Sequence, residues 1–460
     1  MSRAGDLSRR LSEHVAGARF EDLPAAAVEA AKRSLLDAVG VMLGASGLGE
    51  GCAAFADLAQ ASGGPPECTL LGHGVRAPLL LAALANGAAA HALDFEDAFD
   101  AAPTHPNAQL IPAILALAEQ RGASGRDVLT AIAVGCDLVC RLALTVQDEP
   151  ARRGWYTPPI VGAFGAAAAS AKLLGLDAAQ VRDALSLTLC QATCSAEIKY
   201  SAKSVIRAVR DGFAAHAGLL AALLAQRGVA GFEAPLEGKA GFLALYAPDA
   251  DSAPLTADLG GHFFGADVSF KPWPSCRGTH AFIEAALAFR AHDGVRPEDV
   301  LAVETCGGPI QSMLAEPHAQ KIAPLTAIDA KFSIPFTVAT ALVRGQVGLD
   351  DFAVDRLRDS RVLDLAARVG FSTWAAAPPE DASSGATALI LRGGSRVVRS
   401  ISQPRGHPTN PMDWDELEAK FRACAGRAAR PPASAFIERF TKDVRQLEAV
   451  REFGAFISDS

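Results

Sequence analysis

Ile160-Val-Gly-Ala-Phe-Gly-Ala-Ala-Ala-Ala-Ser-Ala-Lys-Leu-Leu174 holds no acid and a single cation, Lys172. Alanine takes the least side-chain entropy into a helix, and glycine and alanine faces are small enough for neighbouring helices to approach closely. The run therefore predicts a packed helix over 160–174. Working outward, helical runs follow the same rule at 77–92, 110–120, 125–146, 178–194 and 206–227. Towards the N-terminus, Asp22-Leu-Pro24 opens a further helix whose Val28, Leu35, Leu36, Val39, Met42 and Leu43 recur at helical spacing. Of the 460 residues 50% are apolar and only 6% aromatic, a composition suited to packed helices and not to a β-sandwich.

After Gly260-Gly261 the texture changes. Val300-Leu-Ala-Val-Glu-Thr305 alternates as a half-buried strand does, and 386–392 and 396–401 flank Gly393-Gly394-Ser395 as in a hairpin. This stretch predicts an α+β domain. Beyond Gln403-Pro-Arg-Gly-His-Pro-Thr-Asn-Pro411, Asp413 and Glu416 stand like a capping box ahead of Leu417 and Phe421, so the tail returns to helix.

The formal charge of −8, with no long Lys/Arg run, argues against nucleic acid as a partner. No run approaches the roughly 18 uninterrupted apolar residues of a membrane span, and no apolar leader follows the N-terminus, so the expectation is a cytoplasmic protein without a membrane partner. Nine scattered cysteines predict reduced thiols, and Cys136/Cys140 and Cys190/Cys194 read as small buried thiols on helix faces. Gly72-His-Gly74 lacks the third glycine of a dinucleotide fingerprint and reads as a turn.

Ionisable groups concentrate in one otherwise apolar stretch: His91, Asp94, Glu96, Asp97, Asp100 and His105. Proton removal beside a carboxylate needs a base near neutral pKa, and His beside a carboxylate supplies one; composition alone reads the same acids as caps on a solvated loop. His91, Asp94 and His105 match no metal-ligand spacing, so no metal is expected. Cations that could hold a carboxylate are Lys199, Lys203, Arg207 and Arg210, and Lys271 with Arg277; for Lys199 and Lys203 a solvated face is the better reading. His280 opens the apolar helix at 281–289, where the positive helix end favours neutral imidazole.

Leu35-Leu-Asp-Ala-Val-Gly40, Ala85-Asn-Gly87, His91-Ala-Leu-Asp-Phe-Glu-Asp97, Thr104-His-Pro106, Gly162-Ala-Phe-Gly-Ala-Ala-Ala168, Gly238-Lys-Ala-Gly241, Lys271-Pro-Trp-Pro274, Thr279-His280, Asp329-Ala-Lys-Phe-Ser333 and Asn410-Pro411 together resemble the MmgE/PrpD family. That family includes 2-methylcitrate dehydratase, cis-aconitate decarboxylase and iminodisuccinate epimerase. The resemblance runs along nearly the whole chain. It implies a mainly α protein: a large all-helical domain (1–265), a smaller α+β lid domain (266–402) and a C-terminal segment (403–460) returning to the helical domain. It also implies a homodimer, a site between the domains, and chemistry without metal or organic cofactor on a small polycarboxylate.

Carried over by position, the resemblance implies Asp94, His105 and His280 as catalytic residues; Arg207 and Lys271 are expected to hold the substrate's carboxylates, with Tyr156 also at the substrate. Three positions depart from the pattern. Arg207, five residues before Gly212, replaces a lysine, so a cation is kept and a proton donor lost. Ala98 stands where decarboxylase-like members carry Thr, and Tyr156 where many carry His. The expected activity is a hydro-lyase of the 2-methylcitrate dehydratase type, with a decarboxylase of the cis-aconitate type also open. The alternatives are an epimerase acting on a dicarboxylate such as iminodisuccinate, and a catalytically silent binding or scaffold member.

Overall fold

The computed structural model describes residues 6–102, 104–200, 204–374 and 383–457. Among these the chain forms two compact units, one drawn from Met1–Ala92, Ala102–Val268 and Asp413–Ser460, the other from Leu93–Ala101 and Ser269–Met412. The boundaries differ from 265 and 402 in two respects. The acidic stretch at 93–101 leaves the helical unit, because Ala98 pairs with Ser269 through two backbone hydrogen bonds of 2.7 and 2.8 Å. The return to helix starts at Asp413, since Gly406 is tied to Phe270.

The helix opened by the alanine run, Thr157–Leu173, is the hub of the larger unit, buried without a break from Pro158 to Ala171. Around it pack Pro106–Arg121, Gly125–Val146 and Asp211–Gln226. Close approach is what the small residues provide. A Cβ on Gly212 would lie 2.4 Å from the Leu84 carbonyl oxygen, so helices 79–91 and 211–226 meet backbone to backbone. The tail helix Trp414–Ala425 opens on the Asp413/Glu416 capping box and lies along Ala25–Leu48, where Lys420 pairs with buried Asp37 at 2.6 Å.

Gly125–Val146 and Ile206–Gln226 are, by length and composition, apolar enough to cross a membrane. Both carry charges, Arg126, Asp127, Asp137 and Arg141 in the first and Arg207, Arg210 and Asp211 in the second, so neither is an uninterrupted apolar run. Their most apolar windows are 94% and 72% buried inside the protein, and a fully packed helix needs the same all-round apolarity as a spanning one.

A short hairpin, β1 (Cys68–Leu70) with β2 (Val75–Ala77), turns at the expected Gly72-His-Gly74. The smaller unit holds a four-stranded sheet of β3 (Val300–Gly307), β4 (Val369–Thr373), β5 (Gly385–Leu391) and β6 (Arg396–Ile401), in the order β4-β3-β5-β6. β3 runs parallel to β4 and antiparallel to β5. The hairpin at 393–395 joins β5 to β6, an edge strand that alternates exposed and half-buried residues. Helices His280–Ala291 and Ile334–Arg344 supply the apolar layer, with Phe282, Phe289 and Phe336 fully buried. Among the described residues no disulfide joins the cysteines; Cys136 and Cys140 are buried as expected, but past the end of helix Ala178–Leu189 Cys190 is exposed and Cys194 half-buried.

Candidate active site

In the smaller unit the acidic loop is held by cations. Asp94 sits at φ +49°, a left-handed conformation that aspartate tolerates better than most residues. The Lys271 ammonium donates to Asp94 Oδ1 at 2.5 Å, to the Asp94 carbonyl at 3.2 Å and to Glu96 Oε1 at 3.2 Å. Three acceptors match its three N–H donors. All three side chains are buried. Burial pushes the lysine pKa down, yet Asp94 and Glu96 together outweigh it, so the value lies above that of an ordinary lysine. Lys271, expected to bind substrate, therefore stands as a fixed cation engaged with the loop's own carboxylates.

Lys331 donates to the Leu93 carbonyl at 2.5 Å and fixes the loop's entry. Arg277 grips Asp100 in two-point fashion, Nε at 3.0 Å and Nη2 at 2.8 Å, and fixes its exit. Gly406 sits at φ +90° where a Cβ would fall 1.8 Å from the Phe270 carbonyl oxygen. Only glycine fits beside the extended segment that leads into Lys271.

His280 is fully buried and opens helix His280–Ala291, as the sequence predicts. Its Nε2 lies 3.2 Å from the Ser275 carbonyl and its Nδ1 3.5 Å from Arg277 Nη1, with the Trp273 ring edge-on at 5.2 Å. A carbonyl only accepts and a guanidinium only donates, so the hydrogen is assigned to Nε2 and the lone pair to Nδ1.

The larger unit holds a different arrangement. His105 is the N-cap residue of Pro106–Arg121 and half-buried; His91 ends helix Leu79–His91 and is fully buried; their ring centroids lie 5.2 Å apart. Behind His91, Asp211 Oδ2 lies 3.9 Å from its Nδ1 and 3.7 Å from Arg210 Nη2. Gln109 donates to Asp211 Oδ1 at 2.7 Å. The Arg210 guanidinium then covers one approach to the Tyr156 ring at 4.9 Å, and the Lys199 ammonium lies 5.4 Å from the same ring. Arg210 also donates to the Arg207 carbonyl.

Arg207 is half-buried, and so is Lys199, whose pKa is lowered by burial first and by Arg207 second, in place of the solvated lysine expected there. Lys203 lies outside the described residues. Tyr156, the N-cap residue of Thr157–Leu173, is buried, its N–H bonded to the Cys194 carbonyl at 2.9 Å. Within the larger unit the structure thus gathers His105, Tyr156 and Arg207 into one neighbourhood with His91, Arg210 and Asp211; within the smaller one it gathers Asp94, Lys271 and His280 around a single loop and its clamps. Sequence reasoning passed over Asp211 and Gln109. A glutamine inside the buried face of an apolar helix was the available signal for the second.

A large helical unit with a smaller α+β unit, each burying ionisable groups in a fixed hydrogen-bonded setting, defines a two-part helical enzyme. The chain belongs to the MmgE/PrpD family: the MmgE/PrpD N-terminal domain matches residues 9–254 and the MmgE/PrpD C-terminal domain residues 273–442. It is 28% identical over 394 residues to cis-aconitate decarboxylase of Homo sapiens, covering 81% of this chain and 78% of that one. With cis-aconitate decarboxylase of Mus musculus it shares 29% over 437 residues, 89% and 85% of the two chains, and with that of Aspergillus terreus 28% over 390 residues, 79% and 78%. The protein is a lyase.

Proposed function

We propose that this lyase removes carbon dioxide from a small unsaturated polycarboxylate of the cis-aconitate type. The sequence put dehydration of a 2-methylcitrate-like substrate first; three relatives named for decarboxylation reverse that order. The observation that carries the reading is the run Tyr156, Arg210, Asp211, His91, His105 inside the larger unit, with no gap longer than 5.2 Å. It joins cations suited to carboxylates to a histidine pair suited to moving a proton.

In this reading Arg207 and Arg210 hold carboxylate groups of the substrate. The carbon–carbon bond to one carboxylate breaks heterolytically, carbon dioxide leaves, and the electron pair spreads over the adjoining double bond and remaining carboxylate. His105 delivers a proton to carbon and recovers one from water, while Asp211 keeps His91 aligned behind it. Asp94 and His280 are the further acid/base candidates that the resemblance supplies, with Lys271 setting the charge of the Asp94 loop. The reading needs neither metal nor organic cofactor, and places the protein in the cytoplasm as a homodimer.

Dehydration is the second reading, favoured by Ala98, which stands where decarboxylase-like members carry Thr. Incubation with cis-aconitate, a methylcitrate and an iminodicarboxylate in deuterated water, followed by NMR, separates the outcomes. The expected result is carbon dioxide released in step with one deuterium on a product carbon. New alkene without carbon dioxide would establish a hydro-lyase, and deuterium in recovered substrate alone an epimerase.

A further inference from the structure

Five arginines of the smaller unit, Arg290, Arg296, Arg361, Arg368 and Arg392, line one groove enclosing about 680 Å³. Only two acids, Glu298 and Asp364, share the lining, in a chain whose formal charge is −8. Arg296 and Arg361 are paired, with Asp299 at 2.8 Å and Asp359 at 3.5 Å. The other three are held by backbone carbonyls. Arg290 donates to Leu342 and Val343 at 2.7 Å each, Arg368 to Val300 at 2.9 Å and Arg392 to Glu298 at 2.9 Å. Among the described residues no carboxylate lies within ion-pair distance of these three.

Carbonyl anchoring fixes the guanidinium planes without cancelling their charge. The rotamer entropy of three long side chains is already spent, and the remaining N–H donors are available for two-point contacts with an anion. The volume falls in the range of small-molecule sites. Its apolar lining is aliphatic, Val295, Pro297, Val343 and Leu365, and offers no aromatic face on which a nucleobase could stack.

We propose that this groove binds a compact polyanion, namely a short oligophosphate group. No residue lining the groove is among those assigned to decarboxylation, and the proposal does not depend on that assignment.

The test is calorimetric titration of the full-length protein with inorganic triphosphate, and in a parallel arm with citrate, at ionic strength held constant with sodium chloride. Arg368 and Arg392 are exposed, so R368Q/R392Q should keep the fold, checked by thermal unfolding without ligand. R227Q/R451Q, at exposed arginines elsewhere, makes the same change in net charge. Triphosphate should bind saturably and weaken about tenfold or more in R368Q/R392Q, as expected for lost charge-assisted hydrogen bonds, and stay unchanged in R227Q/R451Q. R368K/R392K, which keeps charge and loses the planar fork, should fall between. Equal weakening in both glutamine pairs, or no saturable binding, overturns the site. Citrate weakened by R368Q/R392Q with triphosphate unaffected overturns the phosphate assignment and gives the groove to polycarboxylates.

Discussion

The acidic loop of the smaller unit and the histidine pair of the larger one bury similar groups and treat them in opposite ways. Around Lys271 the charges are in contact, at 2.5 and 3.2 Å, and every lysine donor is taken. Around Asp211 Gln109 is in contact at 2.7 Å while the charged partners stand off, His91 at 3.9 Å and Arg210 at 3.7 Å, and the cations rest against the face of Tyr156. Contact pairing fixes a backbone path at the cost of availability. The spaced cluster sets two histidine rings beside arginine cations, the groups that proton transfer and carboxylate binding call for, which is why the second region carries the catalytic proposal and the first its support.

Breaking the tight pair should give the largest effect. Lys271→Met leaves Asp94 and Glu96 buried without their cation, a change of about 3–5 kcal/mol in stability. Urea denaturation should show a matching fall in the midpoint, and adding Asp94→Asn and Glu96→Gln should return part of it. A midpoint that does not move would mean that the triad contributes nothing to holding the loop. On the spaced side, His105→Gln should cost activity and spare stability: kcat for carbon dioxide release falls about 100-fold or more, while the half-buried side chain leaves the urea midpoint nearly in place. Turnover at the original rate would remove His105 from the mechanism.

Much of this contrast is legible in the sequence and part is not. The alanine run, the Asp413/Glu416 box and the Gly393-Gly394 hairpin are local signals, and each formed where its spacing predicted. β4 escaped notice because Val369-Gly-Phe-Ser-Thr373 has little alternation of its own and becomes a strand by pairing with β3, more than 60 residues earlier. The cysteine pairs show the same limit. Helical spacing predicts which residues share a face, but Cys190 is exposed because its helix ends at Leu189. In the site, residue type and the family pattern pointed to His105 and Arg207, whereas Asp211 fell inside the helix expected over 206–227 and drew no reading of its own. What gives it meaning is Gly212, whose missing Cβ lets helix 211–226 close on helix 79–91, the helix that ends in His91.

Asp211→Asn therefore sharpens the comparison at an intermediate size. The amide preserves shape and can still meet Gln109, so the main loss is the charge facing His91 and Arg210. kcat/KM should drop about tenfold, roughly 1.4 kcal/mol of transition-state stabilisation, with the thermal midpoint little changed. A larger loss of stability than of activity would make Asp211 a structural residue of the tight kind.

The smallest effect is expected at His14, which faces both kinds of pairing at once. Asp137 is already in contact with Arg141 at 2.7 Å, so His14 stands 4.0 Å from a carboxylate engaged elsewhere, with Arg141 and Lys172 adding positive charge. Burial, the largest cause, lowers the imidazole pKa below its usual 6.5, and Asp137 offsets this only in part. Because the folded value is depressed, the unfolded chain takes up the proton first. The contribution of His14 is therefore intact above about pH 6.5 and is lost as pH falls through the folded value. His14→Gln should flatten the decline in stability between about pH 7 and about pH 5 by less than about 1 kcal/mol, read from urea midpoints across that window. A contact pair between His14 and Asp137 would raise the folded pKa and reverse the sign. A steeper decline in the variant than in the parent would then place His14 among the tight pairs.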